Sequence, residues 1–219
     1  MLIDLDLKQK RAVVLGGGSE AELKAVKLLD AGASTTVVAR RFTKGLKALS
    51  QTGGVRLIEK DPRNAEALVR GIRPRVLFIS TGEPQLDEDL ASLGRSLGIL
   101  ICVVDNPQLN DFNMPALAKV GTLRIAISTG GKSPAMAKML RKRVEEMIRP
   151  EDLLQLELQE SIRGRIGSSL GGHAARKRLV YQVIRDGEVT RLLKANDLPG
   201  AKARAARIIR VHKRSKERA

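Results

Sequence analysis

The sequence has 219 residues, of which 42% are hydrophobic and 29% are charged, and these proportions fit a globular protein and exclude a disordered or fibrous one. Aromatic residues are only 2% of the chain, too few for the stacking platforms that bind single-stranded nucleic acid, and a single cysteine, Cys102, excludes a disulfide framework and a cysteine-based zinc cluster. The formal net charge of +16 predicts a polyanionic partner, whether a nucleic acid, a polycarboxylate or a phosphorylated cofactor, or else it reflects a basic proteome.

The first half of the chain alternates short apolar runs with helical patterns. The predicted strands cover residues 12–15, 35–39, 55–58, 76–80 and 100–104, and the predicted helices cover 19–31, 64–71 and 86–97. Strands that alternate with helices in this way form a parallel sheet covered on both faces. The sequence therefore predicts an α/β fold built on a Rossmann-like, doubly wound parallel sheet.

The second half begins after a loop rich in Asn and Pro at 105–116. The elements predicted beyond it are a strand at 123–128 and helices at 135–148 and near 151–166, 173–185 and 199–212. Strand signals end where these last helices begin. We therefore expect boundaries near residues 113 and 150, with an α/β domain at 1–113 and a small helical C-terminal domain at 151–219.

Three glycines follow the first strand, in "VVLGGGSEAELKAVKLLDAGA". Gly16, Gly18 and Ala21 match the pattern G-x-G-x-x-(G/A), in which the first glycine permits a tight turn, the second admits a pyrophosphate and the third small residue lets helix and strand pack. The helix N-terminus adds free N–H groups and partial positive charge. A strand-to-helix turn without a ligand is the alternative, and the spacing to Gly32 and the second strand favours dinucleotide binding.

The end of the second strand reads "VVARR" and lacks the acid that usually binds the ribose of NAD. Arg40 and Arg41 are suited to the extra phosphate of NADP, or they form a solvated basic turn. NAD and NADP therefore both stay open.

A second glycine-rich loop, "STGGKSP", lies between the strand at 123–128 and the next helix. It is not a P-loop, because Ala126 stands where that motif needs glycine. Ser133 is placed as an N-cap before Pro134. The loop is either a helix cap alone or an anion site to which Lys132 contributes. Candidate clamps for the anionic groups of a substrate are Lys132, Arg141 and the Arg/Lys clusters of the C-terminal half. The candidate substrate-binding residues are Ser128, Gly130, Gly131, Lys132 and Ser133.

Four stretches, in this order, resemble the precorrin-2 dehydrogenases of sirohaem synthesis, including the N-terminal half of the multifunctional sirohaem synthase. They are the glycine stretch quoted above, "STGEPQLDEDL", "CVVDNPQLNDFNMPA" and "IAISTGGKSPAMAKMLRKRVE". The resemblance extends from residue 1 to about 150. It implies a dimerisation segment at 114–150 and a homodimer, and it implies NAD-dependent oxidation of precorrin-2, a tetrapyrrole, to sirohydrochlorin. Some members also take ferrous iron as a substrate and insert it to give sirohaem.

The resemblance also implies roles for single residues. It puts an essential aspartate at Asp105 and a phosphorylatable serine at Ser128. It puts cofactor contacts at Gly18, Ser19, Glu20, Ala21, Arg41 and Phe42. The chain departs from the family at Glu20, where an apolar residue is usual, and at Leu23, where arginine is usual.

Asp105 also stands out by its position, because it follows the apolar strand 100–104 and ligands bind at the carboxyl ends of strands in open α/β sheets. A carboxylate there is suited to remove a proton during oxidation. The alternative is a turn cap before Pro107. Asp111 and Asn113 are second candidates in the same loop.

Two other classes of protein compete with the enzyme. One is an NAD(H)-sensing Rossmann module with a basic, nucleic-acid-binding C-terminus. The net charge favours this module, but the loops around Asp105 and Lys132 count against it, because such a module does not need them. The other is an NAD-binding regulatory domain of the potassium-channel type, whose ribose acid is missing. We expect no metal site, because His173 and His212 lack metal-ligand spacing, and no membrane span or secretion signal, which predicts a cytoplasmic enzyme.

Overall fold

The computed structural model describes residues 2–166 and 172–217, which form two compact units divided between Met114 and Pro115. The first unit contains β1 Arg11–Leu15, α1 Ser19–Asp30, β2 Ser34–Ala39, α2 Lys44–Gln51, β3 Val55–Glu59, α3 Glu66–Ile72, β4 Val76–Ile79, α4 Pro84–Ser96 and β5 Leu100–Val103. The second contains β6 Ala116–Val120, β7 Leu123–Ile127, α5 Pro134–Met147, α6 Pro150–Ile166, α7 His173–Ile184, α8 Gly187–Lys194 and α9 Leu198–Glu217.

The first unit is built on a five-stranded sheet with the order β3-β2-β1-β4-β5, in which every pairing is parallel. The chain leaves β1 toward β2 and β3 and then crosses to β4 on the other side of β1. The strand order therefore reverses between β1 and β4. In open α/β sheets this reversal opens a crevice at the carboxyl ends of the strands, which is where ligands bind.

Helices cover both faces of this sheet, and alternate residues of each strand point to opposite faces. Ala12 and Val14 pack with residues of α1 and α2, including Ala21, Leu28 and Leu46. Val13 and Leu15 pack in a separate cluster with residues of α3 and α4, among them Val69 and Leu90. The predicted doubly wound parallel sheet is confirmed, and its core is almost entirely aliphatic, as the low aromatic content requires.

The second unit combines a small α/β layer with a helical cluster. β6 and β7 form an antiparallel hairpin that is separate from the five-stranded sheet. α6, α7, α8 and α9 share one apolar core, in which Leu158, Leu179 and Leu193 are at most 3% exposed. No helix in the two described ranges is long and apolar enough to cross a membrane.

The predicted strands of the first half are confirmed to within one residue at each end. Three short elements, α2, β6 and α8, are not predicted by the sequence pattern. Residues 44–51 and 187–194 received no assignment, and the predicted loop at 105–116 contains a 3₁₀ turn at Pro107–Leu109 and the first residue of β6. The division into 1–113, 114–150 and 151–219 stays a prediction.

Candidate functional site

Gly16 lies at the point where the strand order reverses. Its N–H donates to the Val38 carbonyl of β2 at 2.9 Å, and its φ of +129° is a conformation that side chains rarely adopt. A Cβ on Gly16 would clash with the backbone oxygen of Ser80, the residue that follows β4. The first glycine is therefore required for the turn and for close contact between the ends of β1 and β4.

Gly17 is enclosed by the connection between β2 and α2. Its carbonyl accepts a hydrogen bond from Thr43 N at 3.1 Å, and a Cβ here would clash with the backbone oxygen of Arg41. Thr43 caps α2 by accepting from Leu46 N, and its hydroxyl donates to a Glu22 carboxylate oxygen of α1 at 2.5 Å. The glycine loop is thus held in place from both β2 and α1.

Gly18 contrasts with its two neighbours because no heavy atom lies within 4 Å of the position that its Cβ would occupy. It forms the N-cap of α1 with φ −81°, and α1 has no side-chain cap. The glycine loop, residues 16–18, is therefore packed against backbone at Gly16 and Gly17 and has free space beside Gly18. We call this free space the cradle. This arrangement fits a dinucleotide pyrophosphate at the N-terminus of α1.

The other predicted cofactor contacts lie around this loop. Ser19 is exposed and Ala21 is fully buried, where it packs α1 against β1. Glu20 forms an i,i+4 ion pair with Lys24 at 3.5 Å. Arg41 is exposed, whereas Phe42 packs against the core on the α1 and α2 side.

Arg40 is not a free cation, because its guanidinium donates to the Asp61 carboxylate at 2.5 Å. Asp61 follows β3, the strand next to β2, and no sequence motif marks it as a site residue. The two positions are 21 residues apart, and only the register of β2 with β3 brings them together.

Asp105 lies at the same edge of the sheet as the glycine loop. The chain stays paired with β4 as far as Val104, whose N–H donates to the Ile79 carbonyl at 2.9 Å, and Asp105 then leaves the sheet as an exposed residue. β5 is the neighbour of β4, so Asp105 is one strand away from the point where the order reverses.

The loop after Asp105 folds back on β5, the edge strand. Asn110 Oδ1 accepts from Val103 N at 2.5 Å, and Asp111 Oδ2 accepts from Ile101 N at 3.0 Å. These side chains pair N–H groups that an edge strand would otherwise leave open. Asp111, a second catalytic candidate from the sequence, therefore supports β5. Asn113 accepts from the Asn110 side chain at 2.9 Å and belongs to the same support.

The second glycine-rich loop, residues 128–133, is held mainly by hydroxyl groups. Thr129 Oγ1 accepts from Ser133 N at 3.1 Å, and Gly130 N donates to Ser128 Oγ at 3.2 Å. Ser133 Oγ accepts from Met136 N at 3.2 Å, which confirms the predicted N-cap of α5. Gly130, Gly131 and Lys132 are exposed. Ser133 thus caps α5, and the exposed residues Gly130, Gly131 and Lys132 are accessible to an anion.

Arg141, a candidate clamp, already pairs with Glu145 one turn along α5, with Nη1 2.8 Å and 2.9 Å from the two carboxylate oxygens. Lys132, another candidate, is exposed. Within residues 2–166 and 172–217, no three His, Cys, Asp or Glu side chains are grouped as a metal site.

Comparison with known proteins gives two matches that divide the chain. A family model described as putative NAD(P)-binding matches residues 3–116, and one described as the central part of a sirohaem biosynthesis protein matches residues 120–147. The chain is 33% identical over 183 residues to "Precorrin-2 dehydrogenase" of Methanosarcina barkeri, which covers 82% of this chain and 80% of that protein. The chain belongs to the precorrin-2 dehydrogenase family.

Other relatives are longer. The chain is 29% identical to "Siroheme synthase" of Gluconobacter oxydans over 92% of its own length and 42% of that protein, and 31% identical to "Siroheme synthase" of Pseudomonas aeruginosa over 94% and 42%. It thus spans about two fifths of the siroheme synthases that it matches. A solved structure described as "SirC, precorrin-2 dehydrogenase" shares the fold, with a TM-score of 0.70 at 19% identity over 94% of this chain and 99% of that one.

The predicted family and the predicted NAD(P)-binding domain are confirmed by these matches. Membership of the precorrin-2 dehydrogenase family favours an oxidoreductase over the two regulatory modules considered from the sequence. The matches give the family and the kind of cofactor, while the roles of single residues stay predictions.

Proposed function

We propose that this chain catalyses the NAD-dependent oxidation of precorrin-2 to sirohydrochlorin. Its family and the precorrin-2 dehydrogenase relative support the reaction. One structural observation carries the proposal: the open cradle at Gly18 and the exposed Asp105 lie at the same edge of one parallel sheet, beside the reversal of strand order. A cofactor site and an acid–base group at that edge are what a dehydrogenase requires.

The oxidation removes two electrons and two protons from the tetrapyrrole, as one hydride and one proton. NAD, when bound, supplies the hydride acceptor. The N–H groups at the start of α1, with the closed turn at Gly16 and Gly17 behind them, would hold the pyrophosphate. The exposed Ser19 and Arg41 would complete the cofactor site, while Ala21 and Phe42 support it from the core and Glu20 pairs with Lys24 beside it.

Asp105 is the proposed base. Its carboxylate takes the proton that leaves the tetrapyrrole and then passes it to water, to which the exposed side chain has direct access. Two features fix its backbone: Val104 is bonded to β4, and the loop beyond it is bonded to β5 through Asn110. Asp111 is hydrogen-bonded to β5. Of the two carboxylates in this loop, Asp105 is therefore the one available for chemistry.

The substrate carries several carboxylates, and a chain with a net charge of +16 suits it electrostatically. We propose that the exposed Gly130, Gly131 and Lys132, with Ser128 and Ser133 that shape the loop, bind one of these carboxylates. Insertion of ferrous iron, phosphorylation at Ser128 and a cytoplasmic location stay predictions.

The same family suggests a homodimer formed through 114–150, with 151–219 as the helical domain. The apolar surface of α5 supports this proposal. Only Ala137 is buried in α5, while Met136 and Met147 are 44% and 72% exposed. With Leu140 and Val144 they form a stripe at helical spacing. A second copy of the chain would cover this stripe.

An anaerobic spectral assay tests the function. We expect the purified chain to convert precorrin-2 to sirohydrochlorin when NAD is added and to form one NADH for each product molecule. Ferrous iron is then added to the product to test for sirohaem formation. Binding of NAD without any change in the precorrin-2 spectrum would contradict the proposed reaction and would favour a sensing module instead.

A further inference from the structure

The ends of β2 and β3 place an acid, Asp61, beside Arg40, the first of the two arginines that follow β2. Ala39 pairs with Glu59, and Lys60 N donates to the Ala39 carbonyl at 3.1 Å, so both strands end at the same level. Arg40 then meets Asp61 at 2.5 Å. This pair adjoins the glycine loop, because Gly17 contacts the backbone of Arg41.

The position matters because the end of the second strand in this fold faces the adenosine ribose of a dinucleotide. An acid there binds the ribose hydroxyls of NAD, and an arginine there binds the additional 2′-phosphate of NADP. This chain has both groups at that place. The arginine comes from the end of β2, and the acid comes from the neighbouring strand.

The acid is held firmly in its ionised form. Asp61 Oδ1 accepts from Arg63 N at 3.0 Å, and the Arg63 guanidinium lies 3.5 Å from Oδ2 and also pairs with Glu83. The Arg63 N–H and the Arg40 guanidinium lower the pKa of the Asp61 carboxyl. Asp61 is therefore charged at neutral pH, and its charge offsets that of Arg40.

We propose that Asp61 makes the site select NAD over NADP by holding Arg40 in an ion pair. A 2′-phosphate would have to break that pair and would meet the Asp61 carboxylate at close range, which repels it. The ribose hydroxyls of NAD meet no such repulsion. The inference rests on the proposed function, since it concerns the cofactor of the same site.

Calorimetric titration of the full chain with NAD+ and NADP+ tests the inference. Asp61→Asn keeps an oxygen acceptor for Arg63 N and removes the charge. We expect it to raise the affinity for NADP+ about tenfold relative to NAD+, the usual scale of one freed charge-assisted hydrogen bond. Adding Arg40→Ala should remove the gain. Glu66→Gln is the matched control, because it makes the same change in net charge at the exposed Glu66–Arg70 pair of α3.

A second variant keeps the test independent of how well Asp61→Asn folds. Arg40→Ala in the otherwise unchanged chain should not raise the affinity for NADP+ relative to NAD+, because it removes a cation and leaves the Asp61 carboxylate without its Arg40 partner. A higher NADP+ to NAD+ affinity ratio in this variant would overturn the inference. An unchanged NADP+ to NAD+ ratio in Asp61→Asn, or equal affinity of the unchanged chain for both cofactors, would also overturn it while the proposed dehydrogenase stands. A chain that binds neither cofactor would overturn both.

Discussion

At the scale of single residues, the three consecutive glycines have different tasks. Gly16 and Gly17 are closed in by the backbone of Ser80 and Arg41, whereas Gly18 faces open space. A substitution at Gly18 therefore acts on the ligand, and a substitution at Gly17 acts on the fold of the loop. The G-x-G-x-x-A pattern predicts a site at Gly16 and Gly18, but it does not say that the middle glycine is the one packed against β2.

Gly18→Asp should abolish dinucleotide binding and leave folding intact, because its carboxylate would occupy the place of the pyrophosphate. Gly17→Ala should lower the thermal stability of the protein, because its Cβ clashes with backbone. The measurements are NAD titration and thermal unfolding of both variants. Unchanged NAD affinity in Gly18→Asp would contradict the site.

At the scale of the elements, strands were easier to predict than short helices. β1 and β4 contain short apolar runs, and β2 is β-branched from Thr35 to Val38; all three are buried on both faces, which is typical of parallel strands covered by helices. α2 and α8 have only eight residues each, and glycine, a poor helix former, lies in the first turn of both. β6 is rich in alanine and follows a Pro- and Asn-rich loop, so it resembles a continuation of that loop.

The side-chain partners within the site depend on long-range register, which a single sequence does not contain. Arg40 meets Asp61 through the pairing of β2 with β3, and Asp111 meets Ile101 because its loop turns back along β5. The sequence therefore indicates the position of Asp105 at the end of a strand. It does not indicate that Asp111, six residues later, is a structural residue.

Asp111→Ala should destabilise the first unit by about 1–2 kcal/mol, because the Ile101 N–H loses its carboxylate acceptor at the edge of the sheet. Asp111→Asn retains an acceptor and should recover most of that loss. Urea unfolding of the two variants measures the difference. If Asp111→Ala instead keeps full stability and loses turnover, Asp111 is the base and its assignment to β5 support is wrong.

The helical cluster contains an acid-sensitive contact between α8 and α9. Asp186 caps α8 by accepting from Val189 N at 3.0 Å, and Arg204 of α9 donates to both of its carboxylate oxygens, at 3.1 Å and 2.8 Å. The Arg204 hydrogen bonds and the cap lower the pKa of the Asp186 carboxyl. A group whose pKa is lower in the folded chain stabilises it above its unfolded pKa of about 3.9 and loses that effect below it.

The free energy of unfolding of the second unit should therefore fall as the pH drops below about 4. Asp186→Asn should cost about 1–2 kcal/mol at neutral pH and flatten this acid-induced decrease. Denaturant unfolding across the pH range measures both effects. Glu157→Gln, which removes an exposed pair with Lys202, is the control. An equal acid-induced decrease in Asp186→Asn and the unchanged chain would contradict the assignment.

At the scale of the whole molecule, the exposed stripe on α5 predicts a homodimer. Met136→Glu combined with Met147→Glu places two charges on residues that are exposed in a single chain, so the chain should fold and the dimer should dissociate. Val26→Glu makes a similar change on α1 of the first unit and should keep the dimer. Light scattering at micromolar concentration gives the mass of each variant. A monomeric unchanged chain would contradict the dimer.

The turnover of Asp105→Ala tests the central claim most directly. The measurement is NADH formation from precorrin-2 and saturating NAD, with NAD affinity determined in parallel, and Asp89→Ala on α4 is the matched control at an exposed aspartate. We expect Asp105→Ala to fold, to bind NAD as the unchanged chain does, and to lose at least about a hundredfold in turnover, which is typical of a lost acid–base group. Near-normal turnover in Asp105→Ala would make Asp105 a turn residue and contradict the proposed mechanism.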